Sequence, residues 1–151
     1  MLRVFRLVVP VLIAGALFSA CTPGADKLLV RQDGTWRIDQ YDLYELADGD
    51  TTFAFELSNI GTITFNEDGS GSQIVNVLGQ TDSVAFDWTY DEAQTRITIA
   101  YDSTTEVFDV EESLKDSQVF RRDETETRLY PFSGDSVVYR SIAAMLLSRS
   151  E

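Results

Sequence analysis

Few side chains in this sequence are suited to acid–base or nucleophilic chemistry. There is no histidine and one cysteine, Cys21, so the usual base of nucleophilic triads and the commonest zinc ligand are missing. Carboxylates occur as the adjacent pairs Asp91-Glu92 and Glu111-Glu112. Neighbours on a strand point to opposite faces, whereas hydrolysis of a glycosidic bond needs two carboxyl groups on either side of one bond. We therefore expect no catalytic residues and no cofactor.

Two further groups of residues have a simpler structural interpretation. Ser113 and Lys115 are too ordinary a pair to indicate a Ser-Lys mechanism, and a surface loop is the preferred interpretation. The acidic run Asn66-Glu67-Asp68-Gly69 lacks the alternating oxygen ligands and the closing glutamate of a calcium loop, so it is predicted to be a hairpin turn. No metal site is predicted.

The beginning of the chain has the pattern of an export signal. Arg3 and Arg6 precede an apolar run over residues 7–18, which is shorter than the about 20 residues that span a bilayer. Such a run behind a basic start is typical of a secretory signal peptide. Ser19-Ala20-Cys21 at its end resembles the lipobox of bacterial lipoproteins, which implies cleavage before Cys21 and a diacylglyceryl group on its thiol. The alternatives are cleavage at an A-x-A-like site without lipidation, and an uncleaved anchor.

The predicted organisation is a signal peptide over residues 1–20, a lipidated leader over residues 21–33 and one β domain over residues 34–151. Two or more acyl chains hold a protein on a membrane where one does not. The predicted location is the bacterial cell envelope, and Thr22, which is not an acidic retention signal, gives a mild preference for the outer membrane. With one cysteine, an internal disulfide is impossible.

The charge of the chain limits its partners. Loss of Arg3 and Arg6 with the signal would take the formal charge from −13 to −15. Nucleic acid is not expected as a partner, because proteins bind it largely by neutralising phosphates with Lys and Arg. An anionic bilayer would repel the same surface. Contact with the membrane is therefore expected through lipid alone.

Most of the chain shows the period-two alternation of half-buried strands. Residues 84–90 are the strongest case, and Gly-containing turns recur about every 8–12 residues. Residues 27–30 are predicted to form one helical turn that covers an end of the fold, and Asn59-Ile60-Gly61 a kink or a turn. Turns are also expected at residues 46–50 and 79–82. Such a meander closes on itself or exposes sheet edges, so an up-and-down barrel of about 8–10 strands is predicted, with a two-sheet sandwich as the alternative.

The C-terminal part is less regular. Residues 119–122 and 127–132 are predicted as separate strands, with a turn at Ser133-Gly134-Asp135. Residues 136–148 fit either a helix or a strand, and a strand is preferred. Eight aromatic residues either fill the core of the barrel or line a ligand cavity. They are Phe53, Phe55, Phe65, Phe86, Trp88, Tyr90, Tyr101 and Phe108.

Three segments together resemble the bacterial lipocalin-like domain of lipid-anchored envelope proteins. They are Gly34-x-Trp36, residues 61–71 with the sequence GTITFNEDGSG, and residues 86–91 with the sequence FDWTYD before residues 97–99. The resemblance covers residues 34–122. It implies a small antiparallel barrel and a cavity for an apolar or amphipathic ligand. It also implies that Trp36 packs at the closed end of the barrel with a late arginine, either Arg140 or Arg149.

These features favour a membrane-tethered, non-enzymatic protein that binds a small apolar or amphipathic ligand, whose contact residues the sequence does not identify. The alternative is an accessory or inhibitor module whose acidic surface binds a protein partner in the envelope. A hydrolase is the least favoured interpretation, and a cleft of buried carboxylates would support it.

Overall fold

The computed structural model describes residues 24–129 and 136–149, which form a closed antiparallel barrel with one short helix. The elements are α1 (Ala25–Leu29), β1 (Thr35–Ala47), β2 (Asp50–Phe65), β3 (Ser70–Val77), β4 (Gln80–Asp91), β5 (Arg96–Ala100), β6 (Thr105–Ser113), β7 (Ser117–Leu129) and β8 (Ser136–Arg149). Each strand pairs with the next, and β8 pairs with β1. The predicted barrel is confirmed with eight strands. The sandwich alternative is wrong, because the first and last strands are hydrogen-bonded to each other.

The predicted helical turn is α1. Its two leucines, Leu28 and Leu29, are buried, and Leu29 belongs to the main hydrophobic core. A five-residue helix has little stability of its own. It is therefore held by burial of these side chains against one end of the barrel, which we call the closed end.

Two hairpins turn through two residues with positive φ. Asp48-Gly49 has φ of 50° and 91°, and Leu78-Gly79 has φ of 55° and 79°. Such turns match the twist of the flanking strands. The predicted turn at residues 79–82 was placed too late, because β4 already begins at Gln80. The predicted kink is a bulge within β2, where Asn59 and Gly61 have φ of 53° and 149°.

The C-terminal strands differ from the sequence prediction in one respect. The structure joins the two segments predicted on either side of residues 123–126 into the single strand β7, which pairs with β8 over its whole length. The charged residues between those segments stay extended because β8 supplies a continuous hydrogen-bonding partner. The preferred strand over residues 136–148 is confirmed as β8. The predicted turn at Ser133-Gly134-Asp135 and the signal and lipidation predictions lie outside the described residues.

The strands reach different heights at the end opposite α1, which we call the open end. The β5–β6 hairpin stops at Ala100 and Thr105. Pairing between β2 and β3 extends only from Phe65 to Gly61, whereas β1 and β2 remain paired to Ala47 and Asp50. The β7–β8–β1–β2 sheet and the β3–β4 hairpin therefore extend beyond the part of the barrel that is paired all round.

The hydrophobic core fills the closed half of the barrel. Its largest fully buried members are Trp36, Phe65, Phe108, Phe120, Leu29, Ile38, Ile63, Ile97, Ile99 and Met145. Phe65 is central, with ring centroids 5.4 Å from Trp88, 5.6 Å from Phe86 and 6.3 Å from Phe120 in edge-to-face arrangements. Such contacts are favourable beyond area burial alone. The closed half is therefore filled by a packed core of apolar side chains.

Candidate functional site

The residues first considered for chemistry serve turns and surface contacts. Asp91 Oδ1 accepts hydrogen bonds from the backbone N–H groups of Ala93 and Gln94, at 3.0 and 3.1 Å. Glu111 lies 3.6 Å from the guanidinium of Arg121, with both side chains exposed. Both carboxylates are exposed on the surface, where Asp91 stabilises a turn and Glu111 faces an exposed arginine.

The remaining candidates lie in turns or at the end of a strand, since Ser113 is the last residue of β6. Asp68 Oδ1 accepts hydrogen bonds from the backbone N–H and the hydroxyl of Ser70, at 2.9 and 2.6 Å, and these bonds lower the pKa of Asp68. The acidic run is thus a hairpin turn, as predicted. Lys115 is exposed in the β6–β7 turn. Within residues 24–129 and 136–149, no group of three or more His, Cys, Asp or Glu side chains could hold a metal ion.

Cys21 lies outside the described part of the chain. No helix in the described ranges is long and apolar enough to cross a membrane.

The closed end is tied together by Arg149 and Trp36. The Arg149 guanidinium carbon lies 3.8 Å from the centroid of the Trp36 ring. Its Nη2 and Nη1 donate to the carbonyl oxygens of Leu28 and Thr35, at 2.7 and 3.2 Å, and Trp36 Nε1 donates to the carbonyl of Leu29 at 2.9 Å. Of the two arginines left open by the sequence, Arg149 is therefore the partner of Trp36. It joins α1, β1 and β8 at the end away from the open mouth.

A polar layer lies above the core, halfway along the barrel. Arg122 Nη1 lies 3.0 Å from Glu106 Oε1, and both side chains are largely buried, with 16% and 22% of their surface exposed. The guanidinium carbon of Arg122 is 5.7 Å from the centroid of Phe108, so the ion pair rests on the top of the core. Both charged residues face inward, since they are in phase with the buried Phe108 and Phe120 along their strands.

Two tyrosines complete this polar layer. Tyr101 donates from its hydroxyl to Gln73 Oε1 at 3.0 Å. Burial raises the pKa of Tyr101 and of Tyr41, and the negative charge of Glu106 raises both pKa values further. The opposing effect of Arg122 on Tyr41 is smaller than that of Glu106. The tyrosine side chains therefore remain neutral hydrogen-bonding groups at physiological pH.

The open half of the barrel exposes apolar side chains on its inner face. Phe55 pairs with Leu43, and Leu57 with Tyr41. Leu43, Leu57 and Tyr41 all pack against the core, so alternation also places Phe53 and Phe55 on the inner face. Nevertheless Phe53 is 46% exposed and Phe55 38% exposed, and their rings stack with centroids 6.2 Å apart. Inward-facing aromatic rings that remain exposed indicate an unfilled lumen.

Two hollows lined by described residues lie in this open half. The larger has a volume of about 720 Å³ and is lined by residues of β1, β7 and β8 that include Glu45, Glu124, Glu126 and Tyr139. The smaller has a volume of about 320 Å³ and is lined by Val75, Val77, Leu78, Gln80 and Asp82 of the β3–β4 hairpin. Volumes of this size lie in the range of small-molecule sites.

The eight aromatic residues considered from the sequence thus divide between both roles left open. Phe65, Phe86, Trp88 and Phe108 are core residues, Tyr90 packs against them, and Phe53 and Phe55 line the open lumen. Tyr101 lies between the two regions. Glu106, Arg122 and Glu124 were not singled out from the sequence. The sequence gives little indication of them, because a charged residue can be assigned to the inner face of a strand only when it is known which residues of β6 and β7 point inward.

No protein-family model matches the chain, and no curated protein matches it. Among solved structures, a chain named "Odorant Binding Protein OBP1" matches over 72% of this chain and 70% of that chain, with 18% sequence identity and a TM-score of 0.30. The architecture described above rests on the strand pairing of the protein itself.

Proposed function

We propose that this protein binds a small apolar or amphipathic ligand in the open half of its barrel, without catalysing a reaction on it. The observation that carries the proposal is the exposure of Phe53 and Phe55 on an inner face that should be dry if the barrel were filled. Above the Glu106–Arg122 ion pair, the lumen combines apolar walls with a few polar groups, which is the usual composition of ligand sites.

The proposal extends to how the protein is held in place. A lipid on Cys21 would tether the chain at the bacterial cell envelope, with the outer membrane preferred. Only two residues separate Cys21 from Gly24, the first residue that the structure describes. Gly24 is followed directly by α1, which packs against the closed end. This connection favours an orientation in which the closed end faces the membrane and the mouth faces away from it.

Ligand binding is tested with an apolar dye, N-phenylnaphthylamine, whose fluorescence rises in a dry environment. We expect saturable binding at one site per chain. Phe55→Asp should weaken the affinity by roughly 10-fold or more, because a ring buried by the dye contributes about 1.5–3 kcal/mol. Phe55 is partly exposed, so this variant should retain the fold.

Ile74→Asp is the matched control. Ile74 is 45% exposed and lies one position from the inward-facing Val75 and Gln73, so it faces outward on the same end of the barrel. Its replacement should leave dye affinity unchanged. Absence of saturable binding, or equal affinity of the dye for the wild type and the Phe55 variant, would rule out the proposed site.

A further inference from the structure

The lumen of the open half has two walls of different chemistry. The first, here called the apolar wall, belongs to β1–β4 and consists of Leu43, Phe53, Phe55, Leu57, Val75, Val77 and Val84, with Gln80 and Asp82 of β4 at its edge. The second, here called the charged wall, consists of Glu106, Arg122, Glu124, Glu126, Arg128, Tyr139, Ser141 and, from β1, Glu45. A ligand in the lumen would contact both walls at once.

Every arginine at the charged wall is already bonded to a carboxylate. Arg122 pairs with Glu106, and Arg128 pairs with Glu126 while stacking 4.9 Å from the Tyr139 centroid.

Besides Arg128, the larger hollow is lined by one further arginine, Arg140, which is also paired. It donates two hydrogen bonds, at 2.8 and 2.5 Å, to the carboxylate of Asp123 on the outer side of β7. An anionic ligand would therefore have to break an existing ion pair to reach a cation.

Two carboxylates of the same wall have no arginine of their own. Glu124 lies opposite Ser141 on the inner face and is exposed to the lumen, with no ion pair among the described residues. Glu45 also makes no ion pair there, although its charge adds to that of Glu126 in raising the pKa of Arg128. The larger hollow is thus left with an excess of negative charge beside an aromatic surface.

We propose that the lumen selects a basic amphiphile, an apolar body bearing a protonated amine, with the amine beside Glu124 and the body against Phe53 and Phe55. This inference rests on the proposed function, since it names the class of ligand for the same lumen. A partly enclosed site strengthens an ion pair relative to bulk water. Aromatic faces also attract cations, so the Phe53–Phe55 stack does not oppose the amine as it would a carboxylate.

The test uses three probes with one tail and different heads: dodecylamine, dodecanol and dodecanoate, each below its micelle concentration. Affinity is measured by displacement of N-phenylnaphthylamine at neutral pH and low salt. We expect the amine to bind roughly 10-fold more tightly than the alcohol, because one charge-assisted contact is worth about that factor. The carboxylate should bind more weakly than the alcohol, since like charges repel.

Glu124→Gln is the decisive variant, because it keeps the size of the side chain and removes its charge. The amine should lose about 5-fold in affinity, and the alcohol should change by less than about 2-fold. Glu67→Gln removes the same charge from the exposed β2–β3 turn at the closed end and should affect neither probe. The amine advantage should shrink as salt is added.

The outcomes separate this inference from the proposed function. Displacement by all three probes with no preference for the amine, or an equal loss in the Glu124 and Glu67 variants, would overturn the basic-amphiphile inference and leave ligand binding intact. Failure of the dye to bind saturably would overturn both.

Discussion

Arg149 shows how one side chain can close an end of a barrel. Its guanidinium lies over the Trp36 ring and donates to two carbonyl groups, that of Leu28 in α1 and that of Thr35 at the start of β1. Partial burial lowers the pKa of Arg149, yet the group stays charged, because an arginine pKa lies far above neutral pH.

We expect Arg149→Lys to destabilise the protein by about 1–3 kcal/mol, because an ammonium group has no planar fork to stack on indole and to serve two acceptors. Urea denaturation would measure the loss. The control is Arg140→Lys, which alters an ion pair with a side chain 47% exposed and should cost less than about 1 kcal/mol. Equal losses in the two variants would contradict a special role for Arg149.

Because the pKa of Tyr101 is raised in the folded state, we expect the free energy of unfolding to depend on pH in the alkaline range. Burial raises its pKa above the ordinary value of 10.0, so the folded state holds the phenolic proton more tightly than the unfolded state does. The stability from this difference is complete below about pH 10 and declines as the pH rises above it.

Tyr101→Phe removes that titration. The variant should lose about 0.5–1.5 kcal/mol at neutral pH, where the hydrogen bond to Gln73 is missing. Between about pH 9 and 11, however, its stability should fall less steeply than that of the wild type. Denaturation curves at several pH values would show this, and parallel declines in the two proteins would exclude a contribution from Tyr101.

At the level of elements, the bulge in β2 depends on Gly61. Its φ of 149° is rarely adopted by side-chain-bearing residues, and an added Cβ would lie 1.8 Å from the carbonyl oxygen of Ile74 on β3. Gly61 and Val75 are the last paired residues of β2 and β3 toward the open end. Glycine is required there because the two backbones approach closely. The kink lies at the boundary between the filled and open halves.

Gly61→Ala should cost at least about 2 kcal/mol, because both φ and the contact with Ile74 are incompatible with a side chain. Gly79→Ala is the control. Gly79 also has a positive φ, 79°, but nothing lies within 4 Å of its added Cβ, so only the backbone preference of about 1 kcal/mol is lost. Thermal and urea unfolding would compare the two. Similar costs would show that the approach of β3 is not what requires glycine.

At the level of the whole molecule, a tether at the closed end would leave the mouth accessible. The expected anchor makes a direct prediction: Cys21→Ser should release the protein from the membrane fraction or block its processing, because the thiol is the lipid acceptor. Two buried acyl chains would hold the wild type firmly, at about 0.8 kcal/mol for each methylene group. Fractionation and labelling with a radioactive fatty acid would measure this.

The anchor proposal fails if the wild type incorporates no fatty acid and washes from the membrane in buffer. Binding of the dye by the Cys21 variant should equal that of the wild type, since the lumen lies at the opposite end from α1. A change in dye binding would contradict the proposed separation of tether and lumen.

Local patterns in the sequence determined much of this protein. Alternation along residues 84–90 predicted the inward face of β4, and the turn residues predicted a meander that closes as a barrel. These features depend only on residues that are close in sequence, because side chains alternate between the two faces of a strand and turn residues set the geometry of a hairpin. The helical turn before β1 was predicted in the same way.

Only the tertiary structure decided where the barrel is filled and where it is open. Phe55 and Phe65 both fit an inward strand position, but Phe65 lies where all eight strands surround it, whereas Phe55 lies above the short β5–β6 hairpin. The choice of Arg149 over Arg140 and the pairing of Glu106 with Arg122 arose in the same way. Each depends on the heights and registers of strands distant in sequence, which no local pattern contains.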